Sequence, residues 1–464
     1  MRGRPALAPL QRQPPMKAAL ARLAYSTLLR LATPLYLARL WWRGAREPAY
    51  RQDLAQRLGC GEGAAPAPGC LWLHAVSLGE TRAAAPLIDA LRARQPGLRL
   101  LLTHGTATGL QAGRALLRDG DTQTWLPYDT PGAVRRFLRH HRPALGVVME
   151  TEIWPNLLFE ARAAAVPLVL ANARLSPRSQ RRGQQLAALM QPAKACFTQV
   201  LAQTEADAQR LRVSGAQRVQ VMGNLKFDMA PRPEQLARGR AWAATLGRPL
   251  VMAAATREGE ETQLLVAWAA ALALEPPVSS SQAPSAQAGP PLPPSIQARP
   301  LLLLVPRHPQ RFDDVAALVQ ASGLQLARRS GWGDEPPAAA HTADVWLGDS
   351  LGEMPLYYAT AQVALLGGSF EPLGGQNLIE AAACGCPLLM GPHTFNFAQA
   401  AGQAIAAGAA ERVPSLAVAV SRAIELSRSP HRFAMSAQAQ AFAAQHRGAA
   451  ARMAASIIGL LEPG

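Results

Sequence analysis

The stretch that decides the fold is AQVALLGGSFEPLGGQNLIEAAACGCPLLMG, residues 361–391. Its apolar runs VALL and PLLM are typical of buried strands in a parallel sheet, and the segment that begins near Asn377 is typical of the helix between them. The glycines in the loop allow backbone N–H groups to approach an anion. The loop matches neither the dinucleotide-binding fingerprint nor the P-loop. A nucleotide-sugar site and a merely tight strand–helix junction are therefore both open interpretations.

The same alternation of apolar runs and amphipathic segments extends along most of the chain. The other predicted strands are LWLHAV (71–76), LRLLLTH (98–104), ALGVVME (144–150), PLVLANA (167–173), RPLVMAAAT (248–256), RPLLLLVPR (299–307) and ADVWLG (343–348). Repeated strand–helix units predict an α/β fold with doubly wound parallel sheets. A chain of 464 residues is also too long for one ordinary core. We therefore expect two Rossmann-like domains facing a central cleft.

The domain boundaries are predicted at the points where this alternation of apolar runs and amphipathic segments is interrupted. We expect an N-terminal extension with a helix over 1–48, a first domain over 49–225 and a second domain over 226–464. Residues 275–299 are rich in Pro, Ser, Ala and Gln and lack apolar periodicity. They predict a disordered insertion within the second domain.

Residues 17–44, KAALARLAYSTLLRLATPLYLARLWWRG, predict a membrane-associated helix. A spanning helix needs about 20 mostly apolar residues, and Arg30 interrupts the apolar part. A helix that lies on the membrane, with Trp41 and Trp42 at the interface, fits this pattern better. An ordinary buried first helix is the alternative.

The composition restricts the class of partner. The net charge is +16, and all but three of the 47 basic residues are Arg. This balance favours anionic partners such as phospholipid, nucleic acid or a phosphorylated substrate. Aromatic residues make up only 5% of the chain and do not interleave with basic runs, which argues against nucleic acid. The five scattered cysteines indicate a reduced cytoplasmic setting without a disulfide framework or structural metal.

Candidate functional residues follow the predicted strands, because ligands of open α/β sheets bind beyond the carboxyl ends of strands. Glu80 in HAVSLGET is a candidate acid or base, although a carboxylate there would also stabilise a helix N-terminus. Glu150 and Glu152 in METEIWPN are either site carboxylates or edge charges paired with arginines. Arg174 in ANARLSPRS and Lys226 in GNLKFD are candidate partners for an anionic substrate.

Taken together, these segments resemble the 3-deoxy-D-manno-octulosonic acid (Kdo) transferases of lipopolysaccharide biosynthesis. The motifs HAVSLGE, LPYDTP, METEIWPN, ANARLS, GNLKFD, TREGEE, PRHPQRF, GGSFEPLGGQN and GPHTFNF occur in the family's order over about residues 20–460. The resemblance implies a GT-B glycosyltransferase fold and inverting transfer of Kdo from CMP-Kdo to a lipid A precursor, lipid IVA (EC 2.4.99 class). It implies no cofactor and no metal.

The resemblance also implies roles for individual residues. Glu80 matches the catalytic general base, and Glu152 and Arg174 would position the acceptor or the sugar. The implied donor-binding residues are Lys226, Arg307, Gly368, Ser369, Gly374, Gly375, Asn377, Glu380, His393 and Asn396. The sequence departs from the family pattern at Leu78 and Ala255, and residues 1–16 extend beyond the family's usual start.

The implied setting is the cytoplasmic face of a bacterial inner membrane, with an anionic membrane surface as partner and no nucleic acid. The nearest alternative is another GT-B transferase, or an epimerase, that uses a different nucleotide sugar. The motifs do not distinguish how many Kdo residues are added, which acyl chains are preferred or what the oligomeric state is.

Overall fold

The computed structural model describes residues 16–45, 47–61, 66–274 and 298–461. The chain forms two compact units, of which the first comprises residues 1–229 together with 447–464 and the second comprises residues 230–446. The insertion predicted over 275–299 lies outside the described residues except for its last two positions, and so does the extension over residues 1–15.

The first unit is built on a parallel sheet that contains seven strands in the described part of the chain. The strands are β1 (Leu71–His74), β2 (Leu100–His104), β3 (Thr122–Trp125), β4 (Leu145–Met149), β5 (Leu168–Ala173), β6 (Gln199–Ala202) and β7 (Val219–Val221). The order β3-β2-β1-β4-β5-β6-β7 reverses direction between β1 and β4. This reversal is the switch point at which doubly wound sheets bind ligands.

Helices cover both faces of this sheet, and every residue of β1, β2, β4 and β5 is buried. The helices are α1 (Met16–Arg43), α2 (Leu78–Arg94), α3 (Ala107–Arg114), α4 (Pro131–His141), α5 (Pro155–Ala163), α6 (Pro177–Gln185), α7 (Ala187–Lys194), α8 (Glu205–Val213) and, at the far end of the chain, α18 (Ala449–Leu461).

The second unit repeats the architecture with another seven parallel strands among the described residues. Its strands are β8 (Leu250–Thr256), β9 (Leu301–Pro306), β10 (Leu326–Arg328), β11 (Val345–Leu347), β12 (Val363–Leu366), β13 (Leu388–Met390) and β14 (Ala410–Arg412). The order is β10-β11-β9-β8-β12-β13-β14, with the switch point between β8 and β12.

The helices of the second unit pack on the two faces of its sheet. They are α9 (Pro233–Leu246), α10 (Glu260–Ala273), α11 (Phe312–Ala321), α12 (Ala338–Thr342), α13 (Met354–Thr360), α14 (Leu378–Cys384), α15 (Ala398–Ala406), α16 (Leu416–Arg428) and α17 (His431–Gln445). The main core lies between β8, β9, β12 and the helices α10, α11 and α16. The predicted doubly wound α/β architecture is thus present twice.

The division of the chain corrects the predicted boundaries, because residues 226–229 and 447–464 belong to the first unit. Helix α18 packs against α2 in the core of that unit. The carboxylate of Asp228 accepts hydrogen bonds from the backbone N–H groups of Gly448, at 2.5 Å, and Ala450, at 2.6 Å. This carboxylate satisfies two donors at the start of α18 and fixes the returning segment beside residue 228.

The structure contains short strands that the apolar pattern did not predict, namely β3, β6, β7, β10 and β14. They read TQTW, QVLA, VQV, LAR and AER. Four of the five are only partly buried, so their side chains need not be apolar, and runs of three or four residues show no clear periodicity.

Helix α1 is attached to the first unit by polar contacts. The hydroxyl of Tyr25 donates to Asp129 Oδ2 at 2.8 Å, and that of Ser26 donates to Asn156 Oδ1 at 3.0 Å. Arg22 forms an ion pair with Glu160 at 2.7 Å. None of the helices in the described part of the chain combines the length and apolar character that a bilayer crossing requires.

The Asp129 carboxylate links α1 to the rest of the unit, and its replacement should destabilise the protein. It is buried and accepts hydrogen bonds from Tyr25 and from the backbone N–H groups of Asn156 and Leu157. We expect Asp129→Ala to lower the free energy of unfolding by about 3 to 5 kcal/mol, because three donors lose their acceptor. The measurement is urea denaturation at pH 8, above the pKa of about 6 to which burial raises this carboxyl.

The matched control is Asp119→Ala, since the Asp119 side chain is exposed in the same unit. It should change the free energy of unfolding by less than about 0.5 kcal/mol. Equal midpoints for the two variants would show that the Asp129 contacts do not stabilise the unit.

Candidate active site

Glu80 lies in the first turn of α2, directly beyond the end of β1. Its carboxylate accepts a hydrogen bond from the backbone N–H of Val76 at 2.8 Å and one from the hydroxyl of Ser77 at 3.2 Å. Ser77 is the N-cap of α2, so these contacts resemble a capping box. Glu80 therefore does stabilise the start of α2, as the helix-stabilising interpretation expected.

The environment of Glu80 differs from that of an ordinary capping residue. Burial raises the pKa of Glu80 to about 7, and the negative charges of Glu150 and Glu152 add to the increase. The hydrogen bonds from Val76 and Ser77 act in the opposite direction. A carboxyl whose pKa lies near neutrality can take up and release a proton at physiological pH, which is the property of a general base.

Glu150 and Glu152 follow β4, the strand that neighbours β1 at the switch point. Glu150 is buried and has a left-handed backbone with φ of 56°, which is uncommon for a residue other than glycine. The Glu152 carboxylate accepts a hydrogen bond from the indole N–H of Trp154 at 2.8 Å. Burial raises the pKa of Glu152, and the charge of Glu150 contributes.

Arg174 and Lys226 both approach the Glu150 carboxylate. Arg174 Nε lies 3.4 Å from Glu150 Oε2, and Lys226 Nζ lies 3.7 Å from Glu150 Oε1. The suggestion that the acids of METEIWPN pair with basic residues is thus correct for Glu150. The structure places Lys226 in the first unit, whereas the sequence assigned it to the second. Its predicted contact with the donor stays a prediction.

Asn172 connects these residues. It is fully buried in β5 with φ of 52°, and its Oδ1 accepts a hydrogen bond from the backbone N–H of Leu225 at 3.1 Å. This bond joins the end of β5, which precedes Arg174, to the turn Leu225–Asp228 that carries Lys226. Asn172 therefore fixes the two cations relative to the sheet.

In the second unit, Glu260 joins the loops that follow β8 and β12. Its carboxylate accepts hydrogen bonds from the backbone N–H groups of Gly368, at 2.8 Å, and Arg257, at 2.9 Å. A Cβ atom at Gly367 would lie only 2.5 Å from the Ala255 carbonyl oxygen. Glycine is therefore required at residue 367. The N–H of Gly368 is bound to the Glu260 carboxylate and is not free for a ligand.

Basic side chains collect at the ends of β8 and β9. Burial lowers the pKa of His308, and the neighbouring charges of Arg257, Arg307 and Arg311 lower it further. Arg311 is bound to the buried Glu261 at 2.8 Å, whereas Arg307 is exposed. Arg307 is therefore available to an anion, and Arg257 beside it is half-buried. Arg257, in the segment TREGEE, was not among the predicted residues.

The glycine-rich loop after β12 folds back on itself. Gly374 and Gly375 have left-handed backbones, with φ of 88° and 74°, and the N–H of Gly375 donates to the Gly368 carbonyl at 2.7 Å. Asn377 is the N-cap of α14 and accepts from the N–H of Ile379 at 3.1 Å. The tight strand–helix junction is thus present.

Glu380 and Arg307 both follow strands of the second sheet, β12 and β9 respectively. Glu380 is in the first turn of α14. Tyr358 is fully buried against solvent, its pKa is raised well above the usual value by burial, and it interacts electrostatically with both Glu380 and Arg307. The acidic and basic residues predicted for the donor site therefore lie at the same end of this sheet.

Ser369 was predicted to bind the donor, and that contact stays a prediction. Its hydroxyl is fully buried, and it accepts a hydrogen bond from the N–H of Gly391 at 2.9 Å while it donates to the Leu366 carbonyl at 2.5 Å. The bond from Gly391 joins the loop after β12 to the loop after β13, and the bond to Leu366 fixes Ser369 to the end of β12. Ser369 thus holds the loops together, and the described structure gives its hydroxyl no direction toward a ligand.

The segment GPHTFNF lies against the glycine-rich loop. The backbone N–H of His393 donates to the Ser369 carbonyl at 2.9 Å, and that of Asn396 donates to the Gly374 carbonyl at 3.0 Å. Arg412 donates to the Pro392 carbonyl and to the hydroxyl of Thr394. The backbone of His393 and Asn396 is therefore bonded to the glycine-rich loop, and their predicted contact with the donor stays a prediction.

Within the described ranges, no group of three or more His, Cys, Asp or Glu side chains is arranged to hold a metal ion. The two units present carboxylates, cations and backbone donors at the ends of their strands. In the first unit the half-buried Glu80 is influenced by the charges of two further carboxylates, Glu150 and Glu152. In the second unit a basic edge lies beside a glycine-rich loop.

Comparison with known proteins agrees with this arrangement. The family model described as 3-Deoxy-D-manno-octulosonic-acid transferase (kdotransferase) matches residues 52–229. The chain is 48% identical over 444 residues to the 3-deoxy-D-manno-octulosonic acid transferase of Bordetella pertussis, covering 93% of this chain and 98% of that relative. It is 34% identical over 411 residues to the protein of the same name from Haemophilus influenzae, covering 87% and 90%.

Among solved structures, a glycosyltransferase from Rickettsia africae superimposes with a TM-score of 0.53 at 10% identity, covering 85% of this chain and 100% of that one. This likeness concerns the fold alone, and it confirms the predicted GT-B class. The identity to the two transferases over most of the chain confirms the resemblance of the motifs. The chain belongs to the 3-deoxy-D-manno-octulosonic acid transferase family.

Proposed function

We propose that this protein transfers Kdo from CMP-Kdo to a lipid A precursor, lipid IVA, with inversion at the anomeric carbon (EC 2.4.99 class). Membership of the Kdo transferase family supports the transferred group. The observation that carries the mechanism is Glu80, a carboxylate with a pKa of about 7 at the switch point of the first unit. The proposed reaction needs no cofactor and no metal.

Glu80 acts as the general base in this mechanism. A hydroxyl of the acceptor loses its proton to the Glu80 carboxylate while its oxygen forms a bond to the anomeric carbon of Kdo. The bond from that carbon to the CMP phosphate breaks, and CMP leaves with the bonding electrons. Because the anomeric carbon gains oxocarbenium character, a correctly aligned carboxylate is most useful as the leaving group departs.

The second unit supplies the donor site in this proposal. Arg307 and Arg257 are cations that would neutralise the leaving phosphate and the Kdo carboxylate. The loop of Gly374 and Gly375 would admit the nucleotide closely, and Glu380 would accept a hydrogen bond from the ribose. The contacts of His393 and Asn396 with this loop support their place beside the donor.

The first unit supplies the acceptor site. Glu152 and Arg174 would position the acceptor or the sugar, as the family motifs imply. Lys226 and Arg174 hold Glu150 between them at 3.7 and 3.4 Å, so the two cations counter a buried charge beside the base. This pairing limits how far Glu150 raises the pKa of Glu80.

The surface of α1 supports a location at the cytoplasmic face of an inner membrane. One side of α1 is attached to the unit through Tyr25 and Ser26. Another side leaves Leu28, Leu31 and Leu35 exposed by 65%, 72% and 75%. Leucines at this helical spacing, followed by the exposed Trp41 and Trp42, form an apolar surface suited to the lipid interface.

Removal of the base should abolish transfer and leave the fold intact. We expect Glu80→Gln to lower kcat by about 10² to 10⁴-fold, the usual contribution of a general base. The amide oxygen of glutamine can still accept from the N–H of Val76, so the start of α2 is kept. The measurement is mass analysis of lipid IVA incubated with CMP-Kdo, with UDP-sugars as alternative donors.

Glu205→Gln is the matched control, because Glu205 is an exposed acid in the same unit and pairs with Arg212. It should transfer Kdo at the wild-type rate. Near-normal turnover by Glu80→Gln would remove Glu80 from the role of base. Turnover of UDP-sugars in place of CMP-Kdo would contradict the proposed donor.

The pH dependence should report the charge of Glu80. Transfer requires the ionised carboxylate, so kcat/KM should rise with pH through an apparent pKa of about 7. Glu150→Gln removes a negative charge that raises this pKa and releases Lys226 and Arg174 from their partner. Both effects favour the ionised form, so the acidic limb of the profile should move to lower pH. A limb that stays in place or moves upward would contradict the assignment.

The exposed leucines of α1 should determine membrane binding. We expect the double substitution Leu31→Asp and Leu35→Asp to move the protein from sedimented anionic vesicles into the supernatant, because two charges would have to enter the apolar interface. Leu351→Asp, at a position 75% exposed in the second unit, is the control and should remain bound. Undiminished sedimentation of the double variant would place the anchor elsewhere.

A further inference from the structure

His104 is a buried polar residue to which the motifs assign no role. It is the last residue of β2, the strand beside β1, and only 1% of it is exposed. Its ring lies between the side chain of Gln123, on β3, and the loop that leads from β1 to Glu80. A buried histidine is costly unless both ring nitrogens have partners. Both nitrogens of His104 have one.

The partners define the tautomer of His104. Nδ1 lies 2.9 Å from the Ala75 carbonyl oxygen, which can only accept, so Nδ1 carries the proton. Nε2 lies 2.9 Å from Gln123 Nε2, which donates to it and also to the Leu110 carbonyl at 2.8 Å. Burial lowers the pKa of His104 to about 4, so the ring is neutral.

His104 and Glu80 are bound to the same peptide group. The carbonyl of that group is Ala75 O, which accepts from His104 Nδ1, and its N–H is Val76 N, which donates to Glu80 Oε2 at 2.8 Å. Opposite ends of one amide are thus held by the histidine and the base. Hydrogen bonds linked through an amide polarise and orient one another.

The loop between β1 and α2 is also bonded to the residues that follow β2. The carbonyl of Val76 accepts from the N–H groups of Gly105 and Thr106 and from the hydroxyl of Thr106, at 3.1, 3.0 and 3.0 Å. A Cβ atom at Gly105 would lie 2.8 Å from Val76 Cγ1. The segment that follows His104 therefore packs closely against the residue that donates to Glu80.

The chain leaves space for the ring and its amide partner. A Cβ atom at Gly113 would lie 2.4 Å from His104 Nε2 and 2.3 Å from Gln123 Nε2. Thr81, in the first turn of α2, places its hydroxyl 3.3 Å from His104 Nδ1 and donates to the Ser77 carbonyl at 2.9 Å. The histidine thus contacts both ends of the segment between β1 and α2.

We propose that His104, with its tautomer defined by Gln123, is a positioning residue that aims the Val76 N–H at the Glu80 carboxylate. The inference rests on the proposed function, in which Glu80 is the base. The charged groups that act on Glu80 are Glu150 and Glu152, both of which raise its pKa, whereas the bond from Val76 lowers it. Of these contributions, His104 affects only the hydrogen bond from the Val76 N–H to Glu80.

The test separates the hydrogen bond from the volume of the ring. His104→Phe keeps the ring and removes the Nδ1 donor, whereas an asparagine amide in His104→Asn can reproduce that donor. We expect His104→Phe to lower kcat by about 10- to 100-fold, because the base loses its alignment. The acidic limb of its kcat/KM profile should move up by roughly 0.5 pH unit or more, since the weakened Val76 bond no longer holds the pKa down. The KM for CMP-Kdo should not change.

His104→Asn should restore the position of the limb, and Gln123→Leu should shift it in the same direction as His104→Phe by a smaller amount. The matched control is His141→Asn, since His141 is another buried histidine of the same unit with a pKa lowered by burial to about 4. It can reduce the amount of folded enzyme, but it should leave the limb in place.

The outcomes distinguish the two proposals. A uniform loss of activity in His104→Phe, with the limb unmoved, would overturn the positioning role, and so would equal shifts in the Phe and Asn variants. If His104→Phe does not fold, an unmoved limb in Gln123→Leu overturns it. Full activity of Glu80→Gln would instead refute the proposed base, whatever the histidine variants show.

Discussion

All strands of a parallel sheet end at the same edge, and the functional arrangement of this protein depends on that constraint. The order of the first sheet reverses between β1 and β4, so the loops after these strands diverge and leave room for side chains. Glu80 follows β1, and Glu150 and Glu152 follow β4. In the second sheet the reversal lies between β8 and β12, where Arg257 and the glycine-rich loop follow. Each unit thus places its reactive groups at its own switch point.

In the first unit, the effect of neighbouring charges on the pKa of Glu80 explains where the basic side chains of the site lie. Glu80 needs a pKa near neutrality to act as a base, and burial with two neighbouring carboxylates raises it to about 7. A cation bound directly to Glu80 would cancel this effect. Arg174 and Lys226 are bound to Glu150 instead. The buried charge of Glu150 is thereby balanced. Among the described residues, the Glu80 carboxylate accepts hydrogen bonds from Val76 and Ser77, which are neutral groups.

The glycine-rich loop of the second unit contains groups that are bonded within the protein, and cations lie beside it. Glu260 occupies the N–H of Gly368, and the hydroxyl of Ser369 joins two loops internally. These residues therefore shape the site, and Arg257 and Arg307 are left to attract an anion. A motif of small and polar residues can be required at a site even where its members do not touch the ligand.

The long apolar strands could be predicted from the sequence, because burial on both faces requires continuous runs such as LLLLV. Short strands such as β10 could not, since three partly buried residues carry no periodic signal. Glu80 and Glu152 could be selected because they follow predicted strands in motifs of a known family. Arg257 could not be selected, because in TREGEE the acids that follow it already explain the pattern as the start of a helix. His104 gave no signal, because its partners are distant in the chain: Ala75 follows β1 and Gln123 lies on β3.

Local periodicity and motif order were enough to predict the fold class, the family and the residues that follow each strand. The folded structure was needed to show that the chain returns to the first unit at residue 447, that Lys226 lies against Glu150 and that burial raises the pKa of Glu80 to about 7. These facts depend on which loops meet at the end of a sheet. The loops that meet there bring together residues that are far apart in the chain. The burial of these residues and the Coulomb interactions between them exist only once the strands are paired.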